Sequence, residues 1–103
     1  MNKHNSCPVE DTIQFLGQKW TMLIIRQIQL QSPIRFNQLL TNLNDISPRT
    51  LSKRLQELEE YGFIIKKKFN EIPPRVEYSL THKGKDYGSF FEQFNELILK
   101  HNK

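Results

Sequence analysis

Lys53 follows Arg49 by four residues and precedes Arg54, with Thr50 among them. Further on, the triplet Lys66-Lys67-Lys68 is followed by Arg75. Guanidinium and ammonium groups gathered in this way neutralise phosphate oxygens. Where a helix carries them into the major groove, they also bond the edges of bases. On a helix turning about 100° per residue, with Leu51 on the inner side, Arg49, Lys53 and Gln56 fall near the opposite side. Thr50 lies beside them and Arg54 on a flank. Glu57, Glu59 and Glu60 come later, in the half that stays away from phosphates when a helix enters the groove N-terminus first. An ordinary solvated helix has the same alternation of charge, and three lysines also blunt an exposed strand edge; neither role excludes DNA contact.

Other chemistries find less support. His4, His82 and His101 are far apart and have no metal-ligand spacing. The chain has no Gly-rich phosphate loop and no Ser/His/Asp set. Cys7 beside His4 could form a nucleophile pair, but no oxyanion-hole element follows it. The sequence therefore reads as a non-enzyme with no catalytic residue, no metal ligands and no cofactor.

The elements that must position these cations can be read from the breaks at Pro8, Gly17, Pro33, Pro48, Gly62, Pro73, Pro74 and Gly84. Pro8 suits a first helical position, with Glu10 and Asp11 in the first turn and Ile13 and Leu16 facing inward. The run Trp20 to Ile28 is apolar over most of its circumference, which predicts a helix at the centre of the core. Phe36, Leu39, Leu40 and Leu43 space a short third helix. Ser47-Pro48 then reads as an N-cap followed by Pro in the first turn, opening a fourth helix whose stripe is Leu51, Leu55 and Leu58. Phe63 to Phe69 is strand-like, though the pattern leaves open whether Ile64 or Ile65 points inward. Val76, Tyr78 and Leu80 alternate with Arg75, Glu77 and Ser79 as a half-buried strand, so the two should pair as a hairpin with a long tip. Thr81 can cap a last helix carrying Tyr87, Phe90, Phe91, Phe94, Leu97 and Ile98.

Helices three and four joined by a short turn, with a hairpin directly after, make a winged helix-turn-helix: mainly α with a small β-hairpin. The expected boundaries are a helix-turn-helix over about 36–62, a wing over about 63–80 and a last helix over about 81–101, all in a single domain of 1–103. Phosphate contacts are expected from Ser47 and Arg54, from Arg35 and Gln38 at the start of helix three, and from Lys66, Lys67, Lys68 and Arg75 on the wing. Arg49, Thr50 and Lys53 should meet the major groove. An RNA-binding sheet module would need aromatics on four strands, and only two are readable. A winged helix that binds protein and not DNA is the alternative.

The segments Cys7-Pro8-Val9-Glu10, Gly17-Gln18-Lys19-Trp20, Arg35-Phe36-Asn37-Gln38-Leu39 and Leu55-Gln56-Glu57-Leu58-Glu59-Glu60-Tyr61-Gly62 resemble the HxlR family of bacterial winged-helix regulators. The most specific string is Pro73-Pro74-Arg75-Val76-Glu77-Tyr78-Ser79-Leu80-Thr81. The resemblance runs from about Cys7 into the last helix. It implies a dimeric, DNA-binding transcription factor whose wing touches the minor groove or the backbone and whose terminal helices build the dimer.

A homodimer would bury the stripe Tyr87, Phe90, Phe91, Phe94, Leu97 and Ile98, with Ile13 and Leu16 joining it; the same stripe could instead cap a monomer's own core. Two-fold pairing would set the two recognition helices about 34 Å apart, one turn of DNA. Cys7 falls at a predicted helix N-terminus, where the dipole favours a thiolate. The resemblance makes a role in sensing an oxidant or a small electrophile available to it. As the single Cys among 103 residues, it could yield only an intersubunit disulfide, a mixed disulfide or an adduct. One Cys excludes an internal disulfide framework and suits a reducing compartment. No apolar run approaches a membrane span and no signal peptide is visible, so a cytoplasmic protein with no membrane partner is expected. With 15 Lys and Arg against 11 Asp and Glu, a net charge of +4 suits double-stranded DNA as partner.

Overall fold

The computed structural model describes residues 8–102. Helices α1 (Pro8–Leu16) and α2 (Thr21–Leu30) lead into a short strand β1 (Ile34–Arg35). Next come α3 (Phe36–Leu43) and α4 (Pro48–Glu60), then strands β2 (Ile64–Phe69) and β3 (Arg75–Leu80). The last helix is α5 (His82–Lys100). The sheet has three antiparallel strands in the order β1-β3-β2. This corrects the two-stranded hairpin expected from sequence: Ile34 pairs with Tyr78 and Arg35 with Glu77. A two-residue strand has no periodicity of its own, and only the distant β3 makes it one.

Local chemistry sets the helix ends. Ser47 Oγ accepts the Thr50 N–H at 3.0 Å, and Pro48 occupies the first turn of α4. Thr81 Oγ1 accepts the Gly84 N–H at 3.0 Å at the start of α5. At α3 the Arg35 N–H donates to Gln38 Oε1 at 3.0 Å. Trp20, expected inside α2, stands just before it in the left-handed region at φ 83°. That conformation costs a bulky residue about 1–2 kcal/mol, and the wholly buried Thr21 after it holds α2 in the core.

Ile24, Ile25 and Ile28 of α2 are wholly buried and form the centre of the core. Around them pack Leu39 and Leu43 of α3, Leu51, Leu55 and Leu58 of α4, and Ile34, Ile64, Tyr78 and Leu80 of the sheet. Ile64 points inward and Ile65 outward. The outer side of α2 is not core: Met22, Leu23 and Leu30 are exposed, so its apolar circumference serves two surfaces. Phe15 of α1 stacks on Tyr61 at 4.1 Å, fastening α1 to the end of α4.

Tyr78 is 7 % exposed. Burial, and then the nearby Glu59 carboxylate, push its phenol above the ordinary range. The folded chain therefore keeps a proton that the unfolded chain releases near pH 10, which is about the unperturbed tyrosine value. The stability this contributes is complete below that pH and is lost as pH rises through the folded value. The unfolding temperature is expected to fall as pH rises past about 10, and Tyr78→Phe should flatten the fall. Parallel thermal melts of both proteins against pH check this; identical slopes would contradict it.

Candidate nucleic-acid interface

The turn between α3 and α4 is pinned by Ile46, which is buried in the core, and passes through Asn44 at φ 65°. Asn tolerates positive φ better than most residues. With the turn fixed and Leu51, Leu55 and Leu58 facing inward, the opposite side of α4 faces solvent. Arg49, Lys53 and Gln56 are exposed there, and Thr50 is half-buried beside them. Ser52 shares this exposed side and was missed from sequence, although its spacing of three from Arg49 is the signal that would have found it.

Two other expected contacts, the N-cap Ser47 and Arg54 of α4, are engaged within the fold. Ser47 donates its hydroxyl proton to Thr50 Oγ1 at 2.9 Å while its oxygen caps the helix. It has no second proton for a phosphate, whereas Thr50 keeps its own. Arg54 Nε donates to the Lys19 carbonyl at 3.2 Å, and its NH1 lies 3.3 Å from Glu57 Oε1. Its side chain is only 17 % exposed. Expected as a phosphate contact, Arg54 in this structure ties the α1–α2 turn to α4.

On the wing, Lys66, Lys67 and Lys68 are all exposed. Strand alternation places Lys66 and Lys68 on one face of the ribbon and Lys67 on the other. Lys67 Nζ lies 5.2 Å from the Phe69 ring centre. Arg75 is more constrained. Its guanidinium lies 3.9 Å over the same ring and reaches Glu71 at 2.9 Å and Glu77 at 3.2 Å. Its charge is thus shared between two carboxylates before any phosphate arrives. Arg35 and Gln38 are exposed and share an open cleft with Pro74 and Arg75, so the start of α3 adjoins the root of the wing. Arg35, Arg49, Lys53 and the three wing lysines remain as exposed cations outside the ion pairs described.

The apolar residues assigned to a dimer divide in two. Phe91 is 6 % exposed and packs in the chain's own core. This corrects its placement in the interface: it lies on the face of α5 that carries the buried Gly84 and Gly88 against the rest of the chain. Tyr87 leans inward too, edge-on to Phe63 at 5.0 Å, and Leu16 is half-buried against the core. Ile13, Phe90, Phe94, Leu97 and Ile98 are exposed, with Val9 and Leu99 beside them. Val9, Ile13 and Phe90 border one apolar groove between α1 and α5. Met22, Leu23, Phe94 and Ile98 border a second between α2 and α5. Cys7 lies outside the described residues. No helix among the described residues is long and apolar enough to cross a membrane.

This geometry has close relatives. An HTH-type transcriptional regulator of Synechocystis is 41% identical over 80 residues, covering 78% of this chain and 58% of its own length, so the chain spans little more than half of that relative. The reduced transcriptional regulator YodB of B. subtilis superposes with a TM-score of 0.81 at 29% identity, covering 95% of this chain and 96% of that one. The redox regulator HypR in its reduced form gives 0.82 at 32% identity, over 94% and 95%. The HxlR-like helix-turn-helix family matches residues 15–103. Its members are transcriptional regulators and not enzymes. With helix-turn-helix, wing and terminal helices all in place, the chain belongs to the HxlR-like helix-turn-helix family of transcriptional regulators.

Proposed function

We propose that the protein binds an inverted-repeat operator as a homodimer and thereby controls transcription. One observation carries this reading: the outward side of α4 presents Arg49 and Lys53 in its N-terminal half, free of acids, next to a wing with three exposed lysines. α4 enters the major groove, where Arg49, Thr50 and Lys53 contact bases and phosphates. Lys66, Lys67 and Lys68 hold the backbone from the wing, with Arg35 and Gln38 near the phosphates at the start of α3. The test is selection from a random duplex library with reduced protein. An enriched inverted repeat supports a dimeric operator binder. Absence of any salt-dependent binding would overturn the reading in favour of a protein-binding winged helix.

The exposed stripe Ile13, Phe90, Phe94, Leu97 and Ile98 supplies the two-fold interface. Exposed apolar area of this extent is characteristic of association surfaces. A charge in its middle should split the dimer. Phe94→Asp is expected to halve the mass in sedimentation equilibrium and to leave the fold intact, since Phe94 is 44 % exposed. An unchanged mass would place the interface elsewhere.

The likeness to the redox regulator HypR and to YodB, solved also after diamide treatment, supports a redox input through Cys7. The selected duplex, titrated with reduced and with diamide-treated protein, tests this. Equal affinities with Cys7 modified would remove the idea.

A further inference from the structure

We propose that Ile72, at the tip of the wing, makes an apolar contact in the minor groove of double-stranded DNA, its side chain seated against the sugar walls. The proposal rests on the DNA-binding reading above. Between β2 and β3 the tip runs Asn70-Glu71-Ile72-Pro73-Pro74. Ile72 is fully exposed, more so than any other large apolar side chain among the described residues. Val9, Ile13 and Phe90, and Met22, Leu23, Phe94 and Ile98, line shared grooves beside α5, whereas Ile72 stands apart from them at the far end of the ribbon.

The tip is also stiff. Pro73 and Pro74 fix their own φ angles, and Arg75 clamps Glu71 at 2.9 Å while stacking on Phe69. The same clamp neutralises the only carboxylate of the tip. An apolar side chain is therefore presented outward on a held loop, with Lys66, Lys67 and Lys68 behind it and the nearest arginine turned back onto the ribbon. This arrangement matches the chemistry of a groove. Phosphates line the two rims, where lysines can meet them. The walls between are sugar carbons, and the groove is only about 6 Å wide, enough for one branched aliphatic chain. Ile is among the residues that proteins insert in this groove.

The test uses the full chain and a duplex that wild-type protein has enriched from a random library. Ile72→Ala should bind that duplex about tenfold more weakly. The dependence of affinity on salt should be unchanged, because no phosphate contact is lost. The unfolding temperature should also stay the same, because the Ile72 side chain is fully exposed. A second readout is specific to the minor groove. A G·C pair projects an amino group there, and inosine·cytosine lacks it. Wild-type protein should prefer inosine·cytosine under the wing, and Ile72→Ala should lose the preference. An Ile72→Ala protein that binds as tightly as wild type, keeps that preference or changes the salt dependence overturns the proposal and leaves the role of α4 standing. A wild-type protein that enriches no duplex overturns both readings.

Discussion

Replacing Gly84 by Ala is expected to lower the unfolding temperature by on the order of 15 °C, equivalent to about 3 kcal/mol in a domain of this size. Gly84 is buried in the first turn of α5. A Cβ there would overlap the carbonyl oxygen of Phe63 and press on the Leu80 side chain at 3.1 and 3.2 Å. None of these atoms can move cheaply. The Phe63 carbonyl already accepts the Thr81 N–H at 3.0 Å. Thr81 in turn donates its hydroxyl to the Gly62 carbonyl and accepts the Gly84 N–H. The start of α5 is thus fixed against the start of β2 by the hydrogen bonds that a shift would break. Helix propensity works the other way, since Ala is favoured over Gly by up to about 1 kcal/mol, and this is too small to offset the overlap. Gly88→Ala is the internal comparison. The atoms nearest its Cβ would be the end of the Gln29 side chain, at 2.9 Å, and a flexible amide can turn aside. Thermal melts should therefore separate the two variants widely. Equal losses would mean that α5 can slide, and the crowding at Gly84 would not govern stability.

The same glycines show what could be read from the sequence and what could not. The α4 helix was legible because its signals are local: Ser47-Pro48 opens it, and Leu51, Leu55 and Leu58 recur on one side. β3 was legible for a similar reason, as Tyr78 and Leu80 alternate with polar neighbours. The last helix was legible as a helix but not in its orientation. Apolar residues run around two of its sides, and periodicity alone cannot say which side meets the chain's own core. Gly84 and Gly88, on one line with Phe91, mark that side, because a helix that approaches Leu80 of the sheet and Gln29 of α2 closely needs small residues there. Tyr87 and Phe91 were therefore assigned outward with Phe90 and Phe94. β1 was hidden because its strand character comes wholly from a distant partner. The roles of Arg54 and Arg75 were hidden for a related reason. A helical or strand projection places a cation on a face but does not show the Lys19 carbonyl or the Glu71 and Glu77 carboxylates that take it up. The exposed cations on α4 and the wing were the part of the site read most directly, since charge at regular spacing on an element's outer side needs no partner to be recognised.

That distinction decides where DNA affinity should be lost. Removing Arg49 and Lys53 together, as Arg49→Ala/Lys53→Ala, is expected to weaken binding to a selected operator about a hundredfold, given about 1–3 kcal/mol for a base contact. Both side chains are exposed on the outward side of α4 and neither forms an ion pair among the described residues. Their loss should therefore leave the unfolding temperature and the dimer mass unchanged. Arg54→Ala should behave in the opposite way. Its guanidinium holds the Lys19 carbonyl and Glu57, so its removal should loosen the α1–α2 turn and lower stability, with a smaller direct effect on DNA. Fluorescence anisotropy over a range of salt, alongside thermal melts, separates the two. If both contacts of the double variant are to phosphate, the slope of log affinity against log salt should become shallower by about 0.9 for each. If one reads a base, the slope should change less, and competition with random DNA should show reduced discrimination. A double variant that binds as tightly as wild type would remove α4 from the interface, and a loss accompanied by a lowered unfolding temperature would mean that these cations support the fold.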